Sequence, residues 1–202
     1  DSVLDSGVQS ITSLEVDPTT GELYALSVIC GVSTSLISLD LVAGTSTVVG
    51  TTSQPSCGIW LVIDNAGNAY VADVVSDLIY PYDLTTGQIA GQGQAITLTG
   101  IPIDINFGQD GEFASSANSS KLYGFLYDNT SVVVRYGEFD PVTGEFTELQ
   151  NLGGQQHGSF ANCGPIVIDT CDGVSTIVRR WFAEDECGNI GTCDQIISLI
   201  DT

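Results

Sequence analysis

The chain has 202 residues, 43% of them hydrophobic, enough for one large all-β domain or two small ones and too apolar for a disordered chain. Four Lys and Arg against 25 Asp and Glu leave a net charge of −21. With only Lys121, Arg135, Arg179 and Arg180 positive, no patch can neutralise a run of phosphates, so no nucleic-acid partner is expected; no apolar run approaches the ~20 residues of a membrane span, so no membrane insertion is expected either.

From the N-terminus onward, apolar stretches rich in Val, Ile, Thr and Tyr alternate with Gly-containing turns, which predicts strands. No segment sustains i, i+3, i+4, i+7 apolar spacing beyond about two helical turns, so no helix is expected. Two kinds of turn recur. The first is Asp17-Pro18-Thr19-Thr20-Gly21-Glu22-Leu23-Tyr24, then Asp64-Asn65-Ala66-Gly67-Asn68-Ala69-Tyr70, then a weaker third copy at Gln109-Asp110-Gly111-Glu112-Phe113, with glycines 46 and 44 residues apart. The second is Asp40-Leu41-Val42-Ala43-Gly44, Asp83-Leu84-Thr85-Thr86-Gly87 and Asp140-Pro141-Val142-Thr143-Gly144, with glycines 43 and 57 apart. The longer gap contains two N-x-[ST] sequons, at Asn118 and Asn129, and reads as an insertion on exposed loops.

A unit of about 45 residues with four short strands and two Gly-closed hairpins has the size of a propeller blade. Three such units fit between residues 11 and 152. The stretch Ile63-Asp64-Asn65-Ala66-Gly67-Asn68-Ala69-Tyr70-Val71-Ala72-Asp73 resembles the NHL-type propeller repeat, and the second kind of turn resembles those of secreted bacterial propeller proteins. The expected fold is therefore all-β: a propeller-like repeat region over residues 1–155, with about three four-stranded antiparallel blades, and a Cys-rich β segment over 156–202. Three blades are fewer than the four to eight of closed propellers, which leaves strand edges open to another chain.

The second segment has its own character. Val178-Arg179-Arg180-Trp181-Phe182-Ala183-Glu184-Asp185-Glu186-Cys187-Gly188-Asn189, followed by Cys193-Asp194-Gln195-Ile196-Ile197-Ser198-Leu199-Ile200, resembles the closing hairpin of HYR or Ig-like repeats of bacterial surface adhesins. A divergent fourth blade is the competing reading. The six cysteines (Cys30, Cys57, Cys163, Cys171, Cys187, Cys193) form an even set without the short C-x₂₋₄-C spacing of a zinc knuckle, so they are disulfide candidates in fifteen possible pairings. Parity, sequons, acidity and the absence of Met together predict an extracellular or cell-surface chain, processed or excised.

Chemistry is sparse. The single histidine, His157, stands near Ser159 in a Gly-rich stretch without G-x-S-x-G, so no serine-hydrolase site is expected. Asp64, Asp83 and Asp140 read as turn caps rather than catalytic carboxylates. Calcium is the ion that such a carboxylate inventory suits, but no complete D-x-[DN]-x-[DN]-G loop occurs; Asp110-Gly111-Glu112 and Asp172-Gly173 are read as plain turns. Trp60 in Ile59-Trp60-Leu61-Val62-Ile63 is read as core, with a sugar-stacking face of Trp60, Tyr70, Tyr80 and Tyr82 as the competing reading. No catalytic or cofactor residue is assigned. The expected function is a non-enzymatic structural or adhesive module whose partners are copies of itself and surface glycans, with terminal-strand addition through Ile196, Ile197, Leu199 and Ile200. The alternative is a propeller that binds a ligand or hydrolyses lactones or sugars with a divalent ion.

Overall fold

The computed structural model describes residues 10–106, 110–113, 122–154, 175–184 and 190–199; for residues 110, 112 and 113 and for the last two stretches, only the backbone is described. Two compact units divide the chain, Asp1–Gly164 and Pro165–Thr202. No described residue is helical.

The first unit holds three sheets, antiparallel but for one short parallel pair, each built from consecutive strands. Sheet 1 comprises β1 (Ile11–Val16), β2 (Leu23–Ile29), β3 (Ser33–Asp40) and β4 (Thr45–Thr52), in the order β1-β2-β3-β4. Sheet 2 repeats that meander with β5 (Gly58–Ile63), β6 (Ala69–Asp73), β7 (Leu78–Asp83) and β8 (Gln88–Ile89), and β9 (Gln94–Ala95) also pairs with β7. Next come β10 (Thr97–Leu98), β11 (Ile101–Pro102), β12 (Asp110–Phe113), β13 (Leu122–Asp128), β14 (Val133–Phe139) and β15 (Glu145–Gly153), which form sheet 3 in the order β11-β10-β15-β14-β13-β12. The expected array of up-and-down, blade-like sheets is present. Sheet 3 exceeds four strands because the connector from sheet 2 lays β10 parallel to β15, at Thr97↔Glu145 and Leu98↔Phe146.

Strand alternation decides which side chains meet. Tyr24, Leu26 and Leu36 of sheet 1 pack on Leu61, Ile63, Ala69, Val71 and Tyr82 of sheet 2. The opposite face of sheet 2, with Trp60, Val62, Ala72 and Ile79, packs on Leu122, Leu126, Phe139 and Phe146 of sheet 3. Sheet 2 is thus buried on both faces, and β5 has no exposed residue, as a continuous apolar run demands.

One expected turn is instead a strand. Asp110–Phe113 is β12, paired with β13 at Gly111↔Gly124. Gly111 is buried because it lies under Trp60: the indole Nε1 donates to Gly111 O at 3.2 Å, and a Cβ on Gly111 would stand 2.5 Å from Tyr123 O and 3.0 Å from the indole. The glycine that suggested a turn serves a close approach.

The second unit contains β16 (Ser175–Glu184) and β17 (Ile190–Leu199), an antiparallel pair of unbroken register from Ser175↔Leu199 to Glu184↔Ile190.

Candidate functional site

The Asp-led turns have the geometry their sequence requires. In the β1–β2 turn the Asp17 carboxylate accepts from Thr19 N and Thr19 Oγ1 at 2.8 Å and from Thr20 Oγ1 at 3.0 Å, while Gly21, at φ +76°, donates to Asp17 O at 2.8 Å. Asp64 accepts from Ala66 N and Asn68 N at 2.9 and 2.8 Å in the β5–β6 turn. Asp83 accepts from Thr85 N and Thr85 Oγ1 at 2.8 and 2.6 Å, and Asp140 accepts from Val142 N and Thr143 N at 2.9 and 3.2 Å. Each carboxylate satisfies amides that a tight turn leaves unpaired.

Three of these turns, β1–β2, β5–β6 and β7–β8, surround a cleft of about 560 Å³ at one end of sheets 1 and 2. Tyr24, Ala69 and Tyr82, members of the apolar cluster between the two sheets, line its buried part; Pro81 and Leu84 add apolar surface, and Glu22, Thr19, Thr20 and Thr85 stand exposed around it. Tyr24 Oη donates to Glu22 Oε2 at 2.6 Å, and Tyr82 Oη donates to Gly87 O at 2.9 Å.

Protonation follows from these contacts. Burial, then the hydrogen bond to Glu22 and its charge, push the Tyr24 phenol up to about 12; burial likewise raises Tyr82. Burial would raise the Asp17 carboxyl, but hydrogen bonds from Thr19 and Thr20 outweigh it and hold the group below its usual range. The Thr85 hydroxyl and amide do the same for Asp83. At neutral pH the cleft therefore holds neutral phenols beside ionised carboxylates, and no Lys, Arg or His lines it.

A second, smaller hollow of about 220 Å³ lies beside β10, β11 and the β13–β14 turn, with Arg135 and Asp128 at its wall. Arg135 Nη2 pairs with Asp128 at 2.9 Å, and Nη1 donates to Glu148, so this cation is already matched by two carboxylates. Among the described residues no three His, Cys, Asp or Glu side chains converge as metal ligands.

The other singled-out residues are placed as follows. Cys30, in the β2–β3 turn, is bonded to Cys57 just before β5, 27 residues on, which ties sheet 1 to sheet 2. Cys193 lies on β17 opposite Trp181, whereas Cys163, Cys171 and Cys187 fall outside the described residues, as do Asn118, His157, Ser159, Asp172 and Ile200. Ile196, Ile197 and Leu199 sit on β17, paired with Val178, Ile177 and Ser175. Asn129 is exposed in the β13–β14 turn, where its amide donates to Asp104 Oδ2 at 3.1 Å. The four aromatics do not form one face: Trp60, Tyr80 and Tyr82 are buried, Trp60 toward sheet 3 beside Phe139 at 5.5 Å between rings, while Tyr82 and the half-buried Tyr70 border the cleft. Glu22 and Tyr24 were visible in the sequence only as parts of a turn; the signal was the identical turn-then-Tyr pattern at Tyr70.

No protein-family model matches the chain, and no curated protein matches it. Among solved structures, a Bacteroides fragilis protein provisionally described as a 6-phosphogluconolactonase is similar at 17% identity and TM-score 0.42, over 75% of this chain and 41% of that one. The Dos1 propeller is similar at 17% identity and TM-score 0.43, over 73% and 36%. A Lactobacillus plantarum protein is similar at 17% identity and TM-score 0.39, over 91% and 56%. The chain thus spans from a little over one third to just over half the length of these structures.

Proposed function

We propose that the chain is a non-catalytic, extracellular binding module that holds a small ligand in the cleft between its first two sheets. The observation that carries this reading is the cleft itself: a concave site of suitable volume, with an apolar floor and converging polar groups. A non-hydrolytic role is supported by the state of Asp17 and Asp83, two of the three carboxylates that line the cleft. Hydrolysis of a glycosidic bond needs one carboxyl protonated as general acid, and both Asp17 and Asp83 are held below the usual range by donors from their own turns. The disulfide and the exposed sequon Asn129 accord with an extracellular setting. The test is a thermal-shift screen of small molecules against the wild type and Ala90→Trp, a change at an exposed position lining the cleft. A ligand that raises the wild-type midpoint and leaves the variant unmoved is expected; equal shifts in both proteins would end the reading.

Self-association of copies is a second reading, favoured by one observation. The β7–β8 turn buries Gly87 against Gly50 of sheet 1, and the β14–β15 turn buries Gly144 against Ala95, but Gly44 of the equivalent β3–β4 turn is exposed, with Leu41 and Val42 exposed beside it. On the same sheet, Leu14, Ala25, Ile37 and Val48 pair in one row across β1 to β4, of which Ala25 and Ile37 are buried while the outer residues Leu14 and Val48 are 54% and 57% exposed. A second copy would cover the exposed Leu14, Leu41, Val42 and Val48. Sedimentation of the wild type should then give a dimer that Val48→Lys dissociates; a wild-type monomer would end this reading.

A further inference from the structure

The cleft's hydrogen-bonding groups define the chemistry of what fits it. Four hydroxyls of its lining residues have protons already committed, Thr19 and Thr20 to Asp17, Thr85 to Asp83 and Tyr24 to Glu22, while the Tyr82 hydroxyl is buried on Gly87 O. A hydroxyl that has donated its proton retains acceptor lone pairs. Glu22 receives Tyr24 on Oε2, which leaves Oε1 as an exposed, ionisable acceptor at the cleft mouth. The site is therefore rich in acceptors, and its ligand must bring the donors.

Three classes bring donors: cations, amphoteric acids and polyols. With no Lys, Arg or His among the lining residues, a phosphate, sulfate or carboxylate would meet only like charge. A compact ammonium would seek several bare carboxylates focused on one point, yet Asp17 and Asp83 already take three and two hydrogen bonds from their own turns, so of the three lining carboxylates Glu22 alone offers an exposed oxygen. Neutral hydroxyls need neither. They match acceptors that are spread over the rim of a roughly 560 Å³ cleft rather than focused at one point, and the C–H faces of a sugar ring match the apolar surface of Ala69, Pro81, Leu84 and Tyr82.

We propose, building on the assignment of the cleft as a ligand site, that its ligand is a neutral carbohydrate, with Glu22 Oε1 as the principal acceptor for a sugar hydroxyl. Tyr24 is a positioning residue: its hydroxyl fixes the other carboxylate oxygen. Charge-assisted hydrogen bonds are the stronger ones, so the carboxylate dominates the polar part of recognition.

The experiment uses the full chain on a glycan array containing neutral, sialylated and uronic-acid glycans, followed by calorimetry with the best neutral oligosaccharide and with spermidine. Neutral glycans should bind and acidic ones should not. Glu22→Gln, which keeps the shape and loses the charge, should weaken the neutral glycan tenfold or more, and Ala90→Trp should abolish binding, while both variants keep the wild-type melting profile. Spermidine binding that Ala90→Trp abolishes, without glycan binding, would overturn the carbohydrate assignment and leave the cleft as a ligand site. Glycan binding indifferent to both substitutions would overturn the assignment and the cleft together, and so would an absence of binding by every class.

Discussion

Val132 holds a backbone conformation that its side chain opposes. Its φ is +55°, in the fourth position of the β13–β14 turn, and the Cβ branch makes the left-handed region costly. Asp77, at φ +56° in the equivalent place of the β6–β7 turn, belongs to a type that tolerates this region, and its carboxylate also accepts from Ile105 N at 2.9 Å. Val132 is 56% exposed, so little packing is lost on replacement. Val132→Asn should therefore stabilise the unit by about 1 kcal/mol, read as a higher urea midpoint at unchanged slope. The opposite sign is expected at Arg135, which pairs with the buried Asp128. Burial would raise the Asp128 carboxyl, but hydrogen bonds from Ser131 and the Arg135 guanidinium outweigh it and hold the group below its usual range. A carboxyl lowered in the folded state contributes stability above its unfolded value, near 3.9, and loses it as pH falls through the folded value. Arg135→Met leaves the buried charge unmatched, at a cost of about 3 kcal/mol at pH 7. Its acid unfolding should also begin at higher pH than the wild type's; identical acid profiles would show that the pair is energetically idle.

At the scale of the element, the turns act as spacers as well as reversals. Gly50 and Gly87 lie back to back between sheets 1 and 2: a Cβ on Gly50 would stand 2.0 Å from Thr86 O, and one on Gly87 2.7 Å from Gly50 Cα. Backbone against backbone cannot yield as a flexible side chain does. Gly50→Ala should cost about 3 kcal/mol as an overpacking change, whereas Gly21→Ala, which meets nothing within 4 Å and only strains φ, should cost about 1 to 2 kcal/mol. Comparative urea unfolding orders the two, and equal losses would refute the wedge. These turns were legible in the sequence because Asp caps its own turn amides whatever surrounds it, so local chemistry decides the structure. The buried run of β5 was legible for a similar reason, since an unbroken apolar stretch needs cover on both sides. The two-residue strands β9, β10 and β11 were not: β9 forms beside β7, β10 lies along β15 in a parallel match of Thr97 with Glu145 that spans 48 residues, and β11 pairs only with β10. Asp110–Phe113 misled for the complementary reason, a glycine selected by the indole above it. The cleft was equally hidden, because it is assembled from three separate turns spread between Asp17 and Ala90.

Across the whole molecule the dominant fact is charge. A net charge of −21 sets carboxylate against carboxylate over the folded surface, and self-repulsion of that kind weakens the compact state. The local consequence is already visible in the turns, where Asp17, Asp40, Asp64, Asp83 and Asp140 each accept backbone amides. Those bonds are short-ranged and survive salt; the repulsion between turns is long-ranged and does not. Arg135, whose ion pairs with Asp128 and Glu148 are attractions that salt weakens, has its own side chain only 13% exposed. The two effects therefore separate experimentally. Raising ionic strength from about 0.01 M to 0.15 M shortens the screening length from about 30 Å to about 8 Å, which removes repulsion between turns while leaving each cap intact. The thermal midpoint should rise over that range, by several degrees, and Arg135→Met should show the same increment as the wild type, because the salt acts on charges other than this pair. A midpoint that falls with salt would mean that exposed attractions hold the sheets together, and the picture of apolar interfaces carrying the fold against an adverse field would have to be abandoned.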